Sequence, residues 1–172
     1  MRYKSPRTEP LTSGRQHSIL LISWLDNAVV LTSNAAGLAN YPHARIAPHN
    51  ASRTLYLSGS SSRQAGGSFA GAKTNSDGSV TLDVEEQTAA ILRNIKAVIN
   101  EVTGGIDGLE KIIDATVFLV DMQSHYFGMN AVWNRTWPDV VTAPARTTIA
   151  VRELPSPKMI IEIKCIGIIE GV

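Results

Sequence analysis

Two periodicities organise the apolar positions of the chain. Thr54-Leu55-Tyr56-Leu57-Ser58, Ile112–Val120, Arg146–Arg152 and Met159–Ile169 are rich in β-branched or aliphatic residues and bounded by turn formers. These runs predict strands, as does His43–Ala47 ahead of the turn-rich stretch Pro48–Ser52. Leu92, Ile95, Ile99 and Val102 instead recur at helical spacing, with Arg93, Lys96 and Asn100 elsewhere on the cylinder. Asp83 and Glu86 have the spacing of a capping box, and Gly104-Gly105 offer the left-handed backbone that ends such a helix. A second helix is predicted from about Ser124 to Trp137, with Tyr126, Met129, Trp133 and Trp137 on one stripe and Pro138 as its stop. Ser58–Arg63 and Gly66–Gly78 are predicted as loop. The order β-β-α-β-α-β-β predicts an α+β two-layer sandwich, a mixed β-sheet with two helices on one face.

Composition narrows the function classes without naming one. A chain of 172 residues with 44% apolar and 18% charged residues fits one globular domain with a tail. Sixteen Lys+Arg against fifteen Asp+Glu give +1, which supplies no global field for a nucleic-acid backbone. One cysteine, Cys165, excludes an internal disulfide framework and an all-cysteine metal site. Residues 1–36 read as an extension, poorly ordered or peripheral to a domain at 37–172. Within it Arg2, Lys4, Arg7 and Arg15 face only Glu9, and the apolar run Ile19–Leu25 is too short to span a bilayer. Asp26-Asn27 stands where a cleavage site would be wanted, so a targeting segment is the lesser alternative. The expectation is a cytoplasmic protein with no membrane partner.

Familiar catalytic motifs are missing: no GxGxxG after a strand, no phosphate-cradling loop and no HExxH. His43 and His49 are isolated, so no metal site is expected, and Ser60-Ser61-Ser62 lies outside any nucleophile elbow. The unusual feature is charge inside strands. Arg146 opens an Arg-Thr-Thr-Ile-Ala-Val run, and Glu162 is flanked by large aliphatics. Such residues are either a plain ion pair or parts of a site. If Leu154-Pro155-Ser156 closes a hairpin, Thr148 faces Glu162 and Arg146 projects to the same side, whereas a slip of one residue dissolves the arrangement. Arginine presents a planar fork suited to a substrate carboxylate, and a nearby glutamate can orient and deprotonate a water. That combination suits hydrolysis of a small anionic substrate without a metal.

These residues resemble the RidA/YjgF family of enamine/imine deaminases. The matching pieces are Leu57-Ser58-Gly59, Thr116-Val117-Phe118-Leu119-Val120-Asp121, Asn130, Pro144-Ala145-Arg146-Thr147-Thr148, Leu154-Pro155 and Ile161-Glu162-Ile163, spread over about residues 37 to 170. Within the family the chain is most similar to the 2-aminomuconate deaminase branch, through Asn40-Tyr41-Pro42-His43-Ala44-Arg45, Ser58-Gly59-Ser60-Ser61-Ser62-Arg63 and Ala143–Val151, with Thr148 where better-known members carry cysteine. The resemblance implies a chorismate-mutase-like fold, a homotrimer with clefts at its subunit boundaries, and cofactor-free hydrolysis of a small carboxylate. It implies that Arg146 grips the carboxylate beside the reacting carbon, that Glu162 activates water, and that Thr148 adds a hydroxyl. Tyr41, Ser58, the Gly59 amide and Asn130 would line the pocket. For the distal carboxylate of 2-aminomuconate, Arg63 or Arg45 is the candidate. A general deaminase of short 2-imino acids and a non-catalytic carboxylate-binding module are the alternatives. The 2-aminomuconate reading would place the protein in aromatic-compound or tryptophan catabolism.

Overall fold

The computed structural model describes residues 28–29, 40–41, 44–45 and 52–170. The apolar run Ile19–Leu25, most of the predicted strand His43–Ala47, and the turn at Pro48–Ala51 lie outside the described residues. Of the 1–36 extension, Ala28–Val29 (β1) is described, and it pairs antiparallel with Ala44–Arg45 (β2). Then follow β3 (Ser52–Ser60), the short strands β4 (Ala72–Thr74) and β5 (Val80–Leu82), helix α1 (Val84–Val102), a 3-10 turn at Leu109–Lys111, β6 (Ile112–Val120), helix α2 (Met122–Thr136), β7 (Ala145–Val151) and β8 (Ile161–Glu170).

β3, β8, β6 and β7 lie side by side in that order in one sheet. β8 runs antiparallel to both its neighbours, and β7 runs parallel to β6. The expected sandwich is therefore observed: a mixed sheet with both helices on one face. That face contributes Leu57, Ala115, Val117, Leu119, Ile161, Ile163 and Cys165, which pack against Ile91, Leu92, Ile95 and Ile99 of α1 and Met129, Val132 and Trp133 of α2. Each large aliphatic buried this way adds roughly 1.5–3 kcal/mol over leaving it in water. Burial pushes the Cys165 thiol up to about 12, with Asp114 adding to the effect, so this cysteine is no nucleophile at neutral pH.

The helices follow their sequence cues. The Asp83 carboxylate accepts the Glu86 amide at 3.0 Å, as its spacing predicts. Gly104 and Gly105 take φ of 65° and 83° beyond the last turn, where Val102 is 40% exposed instead of facing the core. α2 begins two residues earlier than predicted, because Asp121 caps it by accepting from the Ser124 amide and hydroxyl. The β4–β5 hairpin falls partly in the predicted loop Gly66–Gly78. Its three-residue strands are mostly exposed and leave no alternation to read.

One expectation is corrected. β7 and β8 do not form a hairpin, and Thr148 does not face Glu162; their partners are Val117 and Phe118 of β6. The reason lies in the two strands' composition. β8 carries Ile161, Ile163 and Cys165 on one face and Ile166 and Ile168 farther along, a nearly continuous apolar run that suits a strand flanked on both sides. β7 exposes Thr147, Ile149 and Ala150 and suits an edge. Residues 152–160, with Pro155 and Pro157, carry the chain past β6 instead of turning it back, and Gln87 fixes the end of this crossing. Its buried side chain accepts the Ile160 amide at 3.1 Å and donates to the Lys158 carbonyl at 2.8 Å. Gln87→Leu would strand the buried Ile160 amide, whereas the carbonyl of the exposed Lys158 can turn to water. It is expected to cost about 1–3 kcal/mol in a urea titration, the range for one unpaired buried group.

Candidate functional site

Because Arg146 and Thr148 pair with Ala115 and Val117, both point to the sheet face that the helices cover. α2 presents Tyr126, Met129, Asn130 and Trp133 at i, i+3, i+4 and i+7, so one stripe of the helix meets the edge strand. The Arg146 Cζ lies 4.7 Å from the Trp133 ring centroid and 4.9 Å from that of Tyr41, with Nη1 3.6 Å from Met129 Sδ. Arg146 Nε is buried without a hydrogen bond, and among the described residues no carboxylate forms an ion pair with this guanidinium. Burial lowers its pKa from the ordinary value, with Tyr126 and Tyr41 acting in the opposite direction. Arginine stays protonated at neutral pH, so among the described residues this cation has no carboxylate paired with it. Thr148 Oγ1 and Asn130 Oδ1 are likewise buried and unpaired. Buried polar groups are ordinarily satisfied, so the unpaired atoms on Arg146, Thr148 and Asn130 make this stretch of the β7 edge the candidate site.

Glu162 and Gly59 form a second group. Glu162 pairs with Phe118 and points to the sheet face that carries no helix. Its carboxylate lies against Gly59: a Cβ there would collide with Oε1 and sit 2.8 Å from Cδ. Gly59 falls in the register shift between Leu57 and Ser60 of β3, so the irregularity and the missing side chain together make room for the carboxylate. Ser58 beside it is exposed. Arg63, in the loop leaving β3, is exposed and bridges to Phe69 through the backbone. The Arg45 side chain lies outside the described residues. Among the described residues, His, Cys, Asp and Glu do not gather into a group of three that could hold a metal ion.

The predicted residues thus fall into two half-sites. Tyr41, Asn130, Arg146 and Thr148 lie at the β7 edge, and Gly59 and Glu162 meet where β3 adjoins β8, with Ser58 beside Gly59; Arg63 lies farther along the loop leaving β3, its carbonyl accepting from Asn94 of α1. The expectation that Arg146 and Glu162 share a face within one chain is overturned. They sit two strands apart and three β6 residues out of step, about 14 Å between Cα atoms from sheet spacings, and they project to opposite faces. Nor are they an ion pair. Sequence reasoning placed Trp133 and Met129 on one stripe of the second helix and in no site, whereas both touch the guanidinium. A usable cue was available, since α2 directly precedes β7 and its aromatic stripe had to cover whatever β7 turned inward.

Comparison with known proteins agrees with this geometry. The family model described as Endoribonuclease L-PSP matches residues 32–169. The chain belongs to this family, RidA/YjgF. Among curated family relatives, a RutC family protein of Synechocystis is 34% identical over 87 residues, 51% of this chain and 62% of the relative. Another from Aquifex aeolicus is 31% identical over 71 residues, 41% of this chain and 54% of the relative. The chain therefore spans less than two thirds of the length of either. Among solved structures, the Rid family protein YyfB of Yersinia pestis superposes with a TM-score of 0.63 at 18% identity, covering 81% of this chain and 96% of that one. Yeast Mmf1 gives 0.53 at 21%, covering 87% and 97%. Both establish the family fold.

The Gly59–Glu162 contact is directly testable. Gly59→Ala meets only the flexible end of a side chain and needs no positive φ, so it should cost under about 1 kcal/mol in a urea titration while displacing the Glu162 carboxylate in a structure of the variant. An unmoved Glu162 would show that the glycine is not what seats it.

Proposed function

We propose that this chain is a cofactor-free hydrolytic deaminase of small enamine and imine carboxylates, with 2-aminomuconate as its substrate, acting at sites shared between copies of a homotrimer. Arg146 carries the reading. A half-buried guanidinium set against two aromatic rings, with Nε unpaired and no carboxylate among the described residues, is costly to maintain unless an anion completes it. A planar carboxylate is the partner that its fork fits best.

Arg146 then holds the carboxylate next to the reacting carbon, with Thr148 and Asn130 offering polar atoms beside it. The enamine is protonated on carbon to give the 2-imino acid, whose C2 is electrophilic. Water adds to C2 as Glu162 takes one of its protons. The carbinolamine nitrogen receives a proton from Glu162, the hydroxyl gives one up as the C=O bond forms and the C–N bond breaks, and ammonia leaves 4-oxalocrotonate (2-oxohex-3-enedioate). Positioning and proton transfer are the whole of the protein's task here.

Glu162 cannot reach the Arg146 pocket of its own chain from the opposite face and edge. A neighbouring copy that brings its β3 edge to this β7 edge supplies one. Repetition of that head-to-tail contact closes a ring in which every half-site is used. The second carboxylate of 2-aminomuconate needs a second cation, and the exposed Arg63, in the loop that follows β3, is the candidate.

The test is ammonia release from freshly generated 2-aminomuconate. Arg146→Ala and Glu162→Gln should each lower kcat/KM at least a hundredfold, removal of one acid–base group being worth ~10²–10⁴. Co-refolding the two inactive variants should restore part of the activity through boundaries that pair an intact Arg146 with an intact Glu162. No ammonia from the wild-type chain, or RNA cleavage in its place, would overturn the assignment. Arg63→Ala should raise KM for 2-aminomuconate about tenfold or more while leaving turnover of 2-iminopropanoate nearly unchanged. Equal losses on both substrates would remove Arg63 from the distal site.

A further inference from the structure

We infer that Asn40 and Trp133 are positioning residues, a clamp that fixes the plane of the Arg146 guanidinium for an incoming carboxylate. The inference rests on the reading of Arg146 as a carboxylate anchor and adds residues to it.

Asn40 is tied to the C-terminal end of α2 by four hydrogen bonds. Its side-chain Nδ2 donates to the carbonyls of Trp137 and Pro138 at 2.9 and 3.1 Å, and its amide donates to Asn134 Oδ1 at 3.1 Å. Its carbonyl accepts the Trp133 indole N–H at 2.9 Å. The carbonyls at a helix end have no partner within it, and Asn40 pairs with that of the C-cap residue Trp137 and with that of Pro138 just beyond, from nearly a hundred residues away in sequence. Tyr41 is the next residue, so this anchor decides where its ring stands. The same anchor holds the indole of Trp133, which is fully buried and braced by Trp137 at 4.4 Å between ring centroids.

Both rings that touch Arg146 are therefore held through Asn40, one by the peptide chain and the other by a hydrogen bond. Arginine has several rotatable bonds, and immobilising such a side chain at the moment of binding costs conformational entropy. A guanidinium already held against two rings has lost that freedom beforehand, so its fork meets the carboxylate in place. Asn40 never touches substrate on this account; it acts through Tyr41 and Trp133.

The full-length chain is titrated with 2-oxobutanoate, a short non-reacting 2-oxo acid, by calorimetry, and imine deamination is followed separately. Asn40→Ala, whose side chain lies outside the core, should weaken 2-oxobutanoate about tenfold and raise KM by a similar factor with a smaller change in kcat. Trp133→Phe should do the same, and its loss of the indole should diminish the change in tryptophan fluorescence on binding. A purely structural role would instead lower the fraction of binding-competent protein and leave Kd and KM alone, which would overturn the clamp. So would a wild-type chain that does not bind 2-oxobutanoate. Binding without ammonia release from imines would defeat the deaminase reading while leaving the clamp standing.

Discussion

The position of β8 between β3 and β6 is the constraint on which the rest depends. Its apolar run has to be flanked on both sides, so the chain crosses past β6 after β7 instead of turning back, and β7 is left as an edge. Gln87 secures the crossing by pairing with the Lys158 carbonyl and with the Ile160 amide, which would otherwise be buried and unsatisfied. From this one arrangement it follows that Arg146 occupies one edge of the sheet, facing the helices, and that Glu162 lies near the other, facing away from them.

The Arg146 pocket is in turn a product of the βαβ connection. α2 leaves β6 and returns to the parallel strand β7, which obliges its buried stripe to lie over that strand's inward residues. Where the inward residue is apolar, such a stripe makes core. Here the inward residue is an arginine, and the same Met129 and Trp133 that continue the core become its lining. The cation–π contacts, worth roughly 0.5–2 kcal/mol each, offset only part of the cost of burying a charge. On the proposed reading, the remainder is met by an anionic substrate.

Much of this was legible in the sequence, for identifiable reasons. The α1 stripe, its Asp83 cap and the glycine stop were read from local rules because helix ends are decided within a few residues. The β6 and β8 strands were visible because both lie in the sheet's middle, where apolar content is unambiguous. Strand order was not, since adjacency of β7 and β8 in sequence suggested a hairpin, and only the relative burial of the two strands decides against it. Arg146 and Thr148 stood out through charge inside a strand and alternation along it, Tyr41 and Asn130 through motif resemblance alone, and the four lie together at the β7 edge. That Glu162 does not join them could not be read from alternation along one strand, because face depends on a register that passes through β6. Asn40's ties to the end of α2 were invisible for a similar reason: they are long-range, and no periodicity announces a cap supplied from elsewhere in the chain.

Separation of the two half-sites is itself a solution to a physical problem. An arginine and a glutamate free to meet on one face of one chain would pair, gaining about 4 kcal/mol at 4 Å in a medium of effective dielectric 20, and a substrate carboxylate would then have to compete with a built-in one. Fixing them on opposite faces and edges of a rigid sheet forbids that collapse within the chain. In the proposed trimer the two charges approach only across a boundary, where their spacing is set by two sheets and not by the reach of two side chains. The guanidinium then stays open to the substrate's carboxylate and the glutamate to its water, each held by a backbone the other cannot move.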